Sequence, residues 1–144
     1  MNNRQIEIFY GLELCFKTGY YLKKNYPNDL MKIKNDTFLP FVKNHKKCNS
    51  KKNMGNYYAF YNNKSPARII IKQKILIEKQ LLRTKIKNQK DRVLLNGNFA
   101  LIELMCHELS HHRTKNHAKG FKLKYKKFMS LISLWLISGD FYNE

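Results

Sequence analysis

The sequence has few cysteines, few acidic residues and no long hydrophobic run, and each shortage narrows what the protein can be. Three cysteines with no CxxC pair cannot all join one another, so we expect free, mostly buried thiols in a reducing compartment. The longest apolar stretch, 131–137, is short and broken by serine, which argues against a membrane span. The first twenty residues are charged and lack the apolar segment of a signal peptide, so we expect an intracellular protein with no membrane partner.

The shortage of acidic residues leaves the chain strongly basic. Twenty-eight Lys and Arg stand against ten Asp and Glu, which gives a net charge of +18. Such an excess predicts a polyanionic partner, and nucleic acid is the one we expect. Only five of these residues are Arg, and the chain is also rich in Asn, Ile, Tyr and Phe. Because AT-rich coding DNA produces the same bias, a compositional origin for part of the charge is an open alternative.

Length and patterning predict one α+β domain over residues 1–144, and 43% of the residues are hydrophobic, enough to bury a core. Residues 5–24 carry an apolar stripe at helical spacing, which the Tyr-Pro-Asn-Asp segment at 26–29 ends. Aromatic and β-branched runs at 57–61 and 67–72 predict a β-hairpin. Residues 75–87 fit a strand and a helix equally well.

Two helices are predicted in the last third of the chain. The first begins at Asn98, which we expect to cap it, and runs through His111. It is apolar around most of its circumference, which predicts a helix sandwiched between other layers, and Glu103 shares its one narrow polar edge with Cys106 and Ser110. The second begins near Ala118. Its apolar positions are Phe121, Tyr125, Phe128, Met129, Ile132, Trp135 and Leu136.

The first of these helices carries the pattern HExxH, at His107-Glu108-Leu109-Ser110-His111. On a helix the two histidines are offset by about 40° and about 6 Å, so both rings can reach one ion. Zinc takes such nitrogen ligands, and a turn at 113–116 can return His117 as the third. Glu108 then stands beside the metal as the general base for the attacking water. We therefore expect a zinc metallopeptidase.

Other candidate residues give weaker signals. His112 is turned about 140° from His107 and cannot share the metal-facing side, so we expect it beside the site or on the surface. His45 lies in a polar, basic segment at 43–52 that we expect to be a solvated loop. Cys106 is expected to be structural. No glycine-rich phosphate loop and no Ser-His-Asp arrangement is present.

The stretch HELSHHRTKNHAKGF, from His107 to Phe121, resembles the WLM family of metalloproteases and the related SprT and Spartan proteases. These share HExxH, a third histidine after a short turn (here His117) and an aromatic residue four positions later (here Phe121). The YgjP-like metallopeptidases are also similar, with an Asn before the third histidine, as Asn116 stands here. The resemblance implies a compact zincin-like core with an active-site helix, a small sheet and a C-terminal packing helix. It also implies proteins bound or crosslinked to DNA as substrates.

The partners expected from this interpretation are a protein substrate and single-stranded or junction DNA. The substrate peptide would add to an edge strand of the hairpin at 57–72. Loop 43–52 and the second helix would contact phosphates, and Tyr57, Tyr58 and Tyr61 would stack on bases. The lysines expected on this helix are Lys119, Lys122, Lys124, Lys126 and Lys127.

Two alternatives stay open. One is a non-catalytic, basic nucleic-acid-binding protein with a structural zinc, although a structural site usually has four protein ligands and only three are found here. The other is a zinc hydrolase that acts on a non-protein amide. Deformylases use HExxH with an upstream cysteine as third ligand, a role that Cys48 or Cys15 could fill only if His117 did not. The residue that stabilises the oxyanion is not identified, and a tyrosine or a basic residue would serve.

Overall fold

The protein is a mixed helix-and-strand structure and is mostly helical, which agrees with the expected α+β class. The computed structural model describes residues 2–30, 41–42, 59–62, 68–84, 92–112 and 119–139. Within these residues there are four helices and five short strands.

The first helix, α1 (Asn3–Asn25), confirms the apolar stripe predicted at 5–24. Its start is fixed by a capping box, in which Asn2 and Gln5 exchange hydrogen bonds between side chain and backbone. It ends at Tyr26, whose N–H bonds the carbonyl of Leu22, and a turn follows at 27–30. The break predicted at 26–29 is therefore confirmed.

A three-stranded sheet follows, with strands β1 (Phe41–Val42), β2 (Ala59–Asn62) and β3 (Arg68–Ile71). β2 and β3 pair antiparallel, with Ala59 opposite Ile71, so the predicted hairpin is confirmed. β1 joins β3 on its other side as a parallel neighbour, which places β3 in the middle of the sheet.

The segment at 75–87 that fitted both periods contains both kinds of element. α2 (Gln73–Glu78) ends at Lys79, which takes a left-handed conformation with φ of 53°. The chain then turns directly into β4 (Gln80–Thr84), which pairs antiparallel with β5 (Arg92–Asn96).

The HExxH helix is α3 (Asn98–Ser110), and His111 forms its C-cap. The expectation that Asn98 caps this helix is wrong. Gly97 holds the N-cap position with φ of 71°, which glycine adopts without strain, and its N–H bonds the carbonyl of Lys79. The Asn98 side chain instead accepts a hydrogen bond from the Lys79 ammonium group.

The helix α3 lies at the centre of the fold, in contact with α1, β2, β5 and the last helix, α4 (Lys119–Ser138). Ten of its thirteen residues are buried, which confirms the sandwiched position predicted for it. α4 also packs on α1, where Tyr21 and Trp135 stack with ring centroids 4.1 Å apart. Its predicted apolar positions are all buried or partly buried. No helix in the described ranges is long and apolar enough to cross a membrane.

Candidate metal centre

His107 and His111 lie together at the C-terminal end of α3, and both rings are partly exposed. Their centroids are 5.2 Å apart and their planes are inclined at 75°. A tetrahedral zinc ion binds imidazole nitrogens at about 2.0–2.1 Å. This geometry places the ring centroids of two such ligands about 5 Å apart. The pair therefore has the separation that two ligands of one zinc ion require.

The third predicted ligand, His117, lies in the segment 113–118, outside the described residues. Among the residues that are described, no group of three or more His, Cys, Asp or Glu is arranged to hold a metal ion. The structure thus brings together two of the three predicted ligands, and a complete donor set requires at least one group from elsewhere in the chain.

Glu108, the predicted base, is buried at the same end of the helix. Burial raises the pKa of its carboxyl group to about 8. The guanidinium of Arg83 acts in the opposite direction, and the carboxylate of Glu103 raises this pKa further. Burial is thus the largest influence on this pKa, and the charges of Arg83 and Glu103 oppose one another.

Two aromatic residues of α4 form a wall against the histidines, and Phe121 contacts both of them. Its ring centroid lies 4.5 Å from that of His111 and 5.0 Å from that of His107. Tyr125 stacks on Phe121 with only 9° between the planes and meets the His107 ring edge-to-face at 6.1 Å. We call Phe121 and Tyr125 the aromatic wall.

Behind the wall lies a buried polar cluster that was not recognised from the sequence. The carboxylate of Glu103, 2% exposed, accepts a 2.9 Å hydrogen bond from Nε of Arg83 and a 2.7 Å bond from the hydroxyl of Tyr125. Burial, followed by the charge of Glu103, raises the pKa of the Tyr125 hydroxyl far above its usual range, so it remains a donor. The available signal was Glu103 itself, an acidic residue one turn before His107 on a helix that is apolar around most of its circumference.

Two further candidates from the sequence, His112 and Cys106, lie in the interior of the protein. His112 is buried, and its carbonyl accepts a 2.5 Å hydrogen bond from the Lys124 ammonium group. Cys106 is fully buried, so the polar edge predicted for α3 faces the interior. Burial, and then Glu103, raises the pKa of this thiol well above its usual value.

The expectation of free, buried thiols is confirmed for Cys15 and Cys106. Burial raises the pKa of Cys15 to about 12, which disfavours the thiolate that metal binding needs. Cys48, His45 and the basic segment 43–52 lie outside the described residues.

The five lysines of α4 fall into two groups. Lys124 bonds the end of α3, and Lys127 forms a 2.8 Å ion pair with Asp29 while its ammonium lies over the ring of Tyr26. The other three lysines are exposed and, within the described part of the chain, have no acidic partner. We call this set the lysine face, and it consists of Lys119, Lys122 and Lys126.

Comparison with protein-family models, with curated proteins and with solved structures gives no match for this chain. The case for a function rests on the residues of the candidate centre.

Proposed function

We propose that the chain is a zinc-dependent metalloendopeptidase. The observation that carries the proposal is the 5.2 Å separation of the His107 and His111 rings at one end of a buried helix. These two residues and His117 would hold the ion. Bound zinc supplies a Lewis acid, which lowers the pKa of water and polarises a carbonyl oxygen.

Glu108 has the role of general base in this proposal. Bound Zn²⁺ would favour the ionised form of this carboxyl group over the protonated form of the zinc-free protein, since an adjacent cation lowers a carboxyl pKa. The carboxylate would take a proton from the attacking water and pass it to the nitrogen of the leaving amine. The group follows His107 directly and is buried, so little bulk water competes for its oxygens. A peptide substrate would pair with β2, which lies at an edge of the described sheet and contacts α3.

We further propose a zincin-like core and an intracellular, DNA-associated role, as the resemblance to the WLM and Spartan proteases implies. The substrates would be proteins bound or crosslinked to DNA. Support comes from the net charge of +18 and from the lysine face, whose cations are exposed at Lys119, Lys122 and Lys126. Exposed lysines of this kind contact phosphate without reading base sequence, because each ammonium group acts as a point charge.

The test combines metal content with proteolysis. Zinc is quantified in the purified wild-type chain and in Glu108→Gln and His111→Ala, and cleavage of histone is followed with and without single-stranded DNA. We expect about one zinc per chain in wild type and in Glu108→Gln, and a large loss in His111→Ala. Of these three proteins, only the wild type should cleave. Glu13→Gln, at an exposed glutamate of α1, is the matched control and should behave as wild type.

Three results would contradict the proposal in different ways. A wild-type chain that holds zinc and binds DNA but cleaves no protein supports the non-catalytic alternative. If the His117→Ala variant retains bound zinc and the Cys48→Ser variant loses it, the result supports a deformylase-like ligand set and a non-protein amide substrate. Near-normal turnover by Glu108→Gln would exclude the proposed base.

A further inference from the structure

We infer that Arg83, Glu103 and Tyr125 form a positioning network that holds the aromatic wall against His107 and so sets how tightly the site binds zinc. The inference rests on the proposed function, because it takes His107 to be a zinc ligand. None of the three residues touches the reacting atoms. They act through the orientation of a ligand.

The network joins three elements at one buried carboxylate. Glu103 lies on α3 one turn before His107, Arg83 comes from β4, and Tyr125 comes from α4. Each oxygen of Glu103 accepts one bond, from Arg83 at 2.9 Å and from Tyr125 at 2.7 Å. The carboxylate is buried and the guanidinium partly buried, and leaving such a carboxylate without its partner is costly, so the three elements are held in one relative position.

The network reaches the histidine through the ring of Tyr125. The hydrogen bond from its hydroxyl to Glu103 holds this ring beside His107, which it meets edge-to-face at 78°. The same ring is stacked on Phe121, which contacts both histidines. Mutation of outer groups that orient a metal-ligating histidine through a hydrogen bond typically costs 10- to 100-fold in metal affinity. Tyr125 orients His107 by ring contact instead, so we take this range as the scale of the effect.

The cost of the network argues against a purely packing role. Apolar residues of similar volume would fill the same space without desolvating a carboxylate and a guanidinium. In addition, Nη2 of Arg83 is buried and has no hydrogen-bond partner among the described residues, which is unfavourable for a donor. A polar cluster kept at this cost, one helical turn from His107, is typical of a functional site.

Two conservative variants test the inference. Tyr125→Phe removes one hydroxyl and keeps the ring, whereas Glu103→Gln keeps an oxygen acceptor for Tyr125 and removes the charge that pairs with Arg83. Zinc affinity is measured by competition with a chelator, and the Co²⁺-loaded protein is followed by its visible absorption spectrum. We expect each variant to bind zinc 10- to 100-fold more weakly than wild type and to shift the Co²⁺ spectrum. The double variant should be no weaker than the more affected single variant.

Melting temperatures, recorded on the same samples, separate positioning from packing. The matched control is Tyr21→Phe, which removes a hydroxyl from a ring stacked on Trp135 in another interface and should leave zinc affinity unchanged. If both network variants melt lower but bind zinc within twofold of wild type, the network is structural only and the inference is overturned. If the wild type itself binds no zinc, it is the proposed function that fails.

Discussion

The ammonium group of Lys124 donates a 2.5 Å hydrogen bond to the backbone carbonyl of His112, just beyond the last turn of α3. A cation is favourable there, because the carbonyl groups at a helix C-terminus carry partial negative charge. This bond ties the start of α4 to the end of α3. The segment between these ends, 113–118, contains His117, so a metal held by His107, His111 and His117 would add a second link between the same two helices.

Chelation should therefore reduce thermal stability. Removing zinc with EDTA is expected to lower the melting temperature by about 10 °C relative to protein at a free zinc concentration of about 100 Kd, because binding energy at such a site is partly folding energy. Scanning calorimetry with and without EDTA measures the shift. His111→Ala should show almost no response. An unchanged melt in wild type, with zinc demonstrably removed, would count against the site.

Glu108 should make the stability of the zinc-free protein depend on pH. Its pKa of about 8 in the fold lies above the usual 4.5, so the folded state keeps a proton that the unfolded state releases. The contribution is complete below about pH 4.5 and is lost as the pH rises through 8. From pH 5.5 to 8 the loss is at most about 3 kcal/mol.

Urea unfolding of the zinc-free protein at both pH values tests this expectation. Glu108→Gln lacks the titrating group and should lose less stability between pH 5.5 and 8 than wild type. Glu13→Gln, at an exposed position on α1, should retain the wild-type difference. Parallel pH dependences for wild type and Glu108→Gln would show that this carboxyl group does not titrate in the range.

The lysine face should carry part of the DNA affinity. Each phosphate neutralised on a single strand contributes about −0.7 to the slope of log affinity against log salt. Replacing Lys119, Lys122 and Lys126 by Gln should therefore reduce the steepness by up to about 2, as measured by fluorescence anisotropy across a salt series. The double variant Lys24→Gln/Lys74→Gln, on α1 and α2, should change it less per lysine. If both variants reduce the slope equally per lysine, the result favours the alternative in which the positive charge reflects amino-acid composition alone.

A small residue is required where α1 crosses α2. A Cβ atom at Gly11 would lie 3.0 Å from Cδ2 of Leu76 and 3.2 Å from its backbone oxygen. Alanine is the better helix former by about 1 kcal/mol, but Leu76 is fully buried and its carbonyl cannot move alone. Gly11→Ala is therefore expected to destabilise the fold by about 1–2 kcal/mol in urea unfolding. A variant as stable as wild type would show that α1 and α2 adjust to the added methyl group without a net loss of stability.

Elements with a long and regular pattern were predictable from the sequence. The stripes of α1 and α4 repeat over several turns, so the local signal is strong. α1 begins and ends within two residues of the expected positions, and α4 begins one residue after the expected start. The segment 75–87 was not predictable, because its first four residues complete α2 and residues 80–84 form β4, so neither period extends over enough residues to give a clear signal. Gly97 replaced Asn98 as cap because the turn out of β5 needs a positive φ there.

The sequence alone determined that His107 and His111 share one side of α3, since residues four apart on any α-helix are neighbours. Only the tertiary structure decided what surrounds them. Arg83 and Tyr125 are 20 and 22 residues from Glu103 and meet it through the packing of β4 and α4 on α3. A local pattern specifies positions within one element, whereas contacts between elements depend on how their faces pack together.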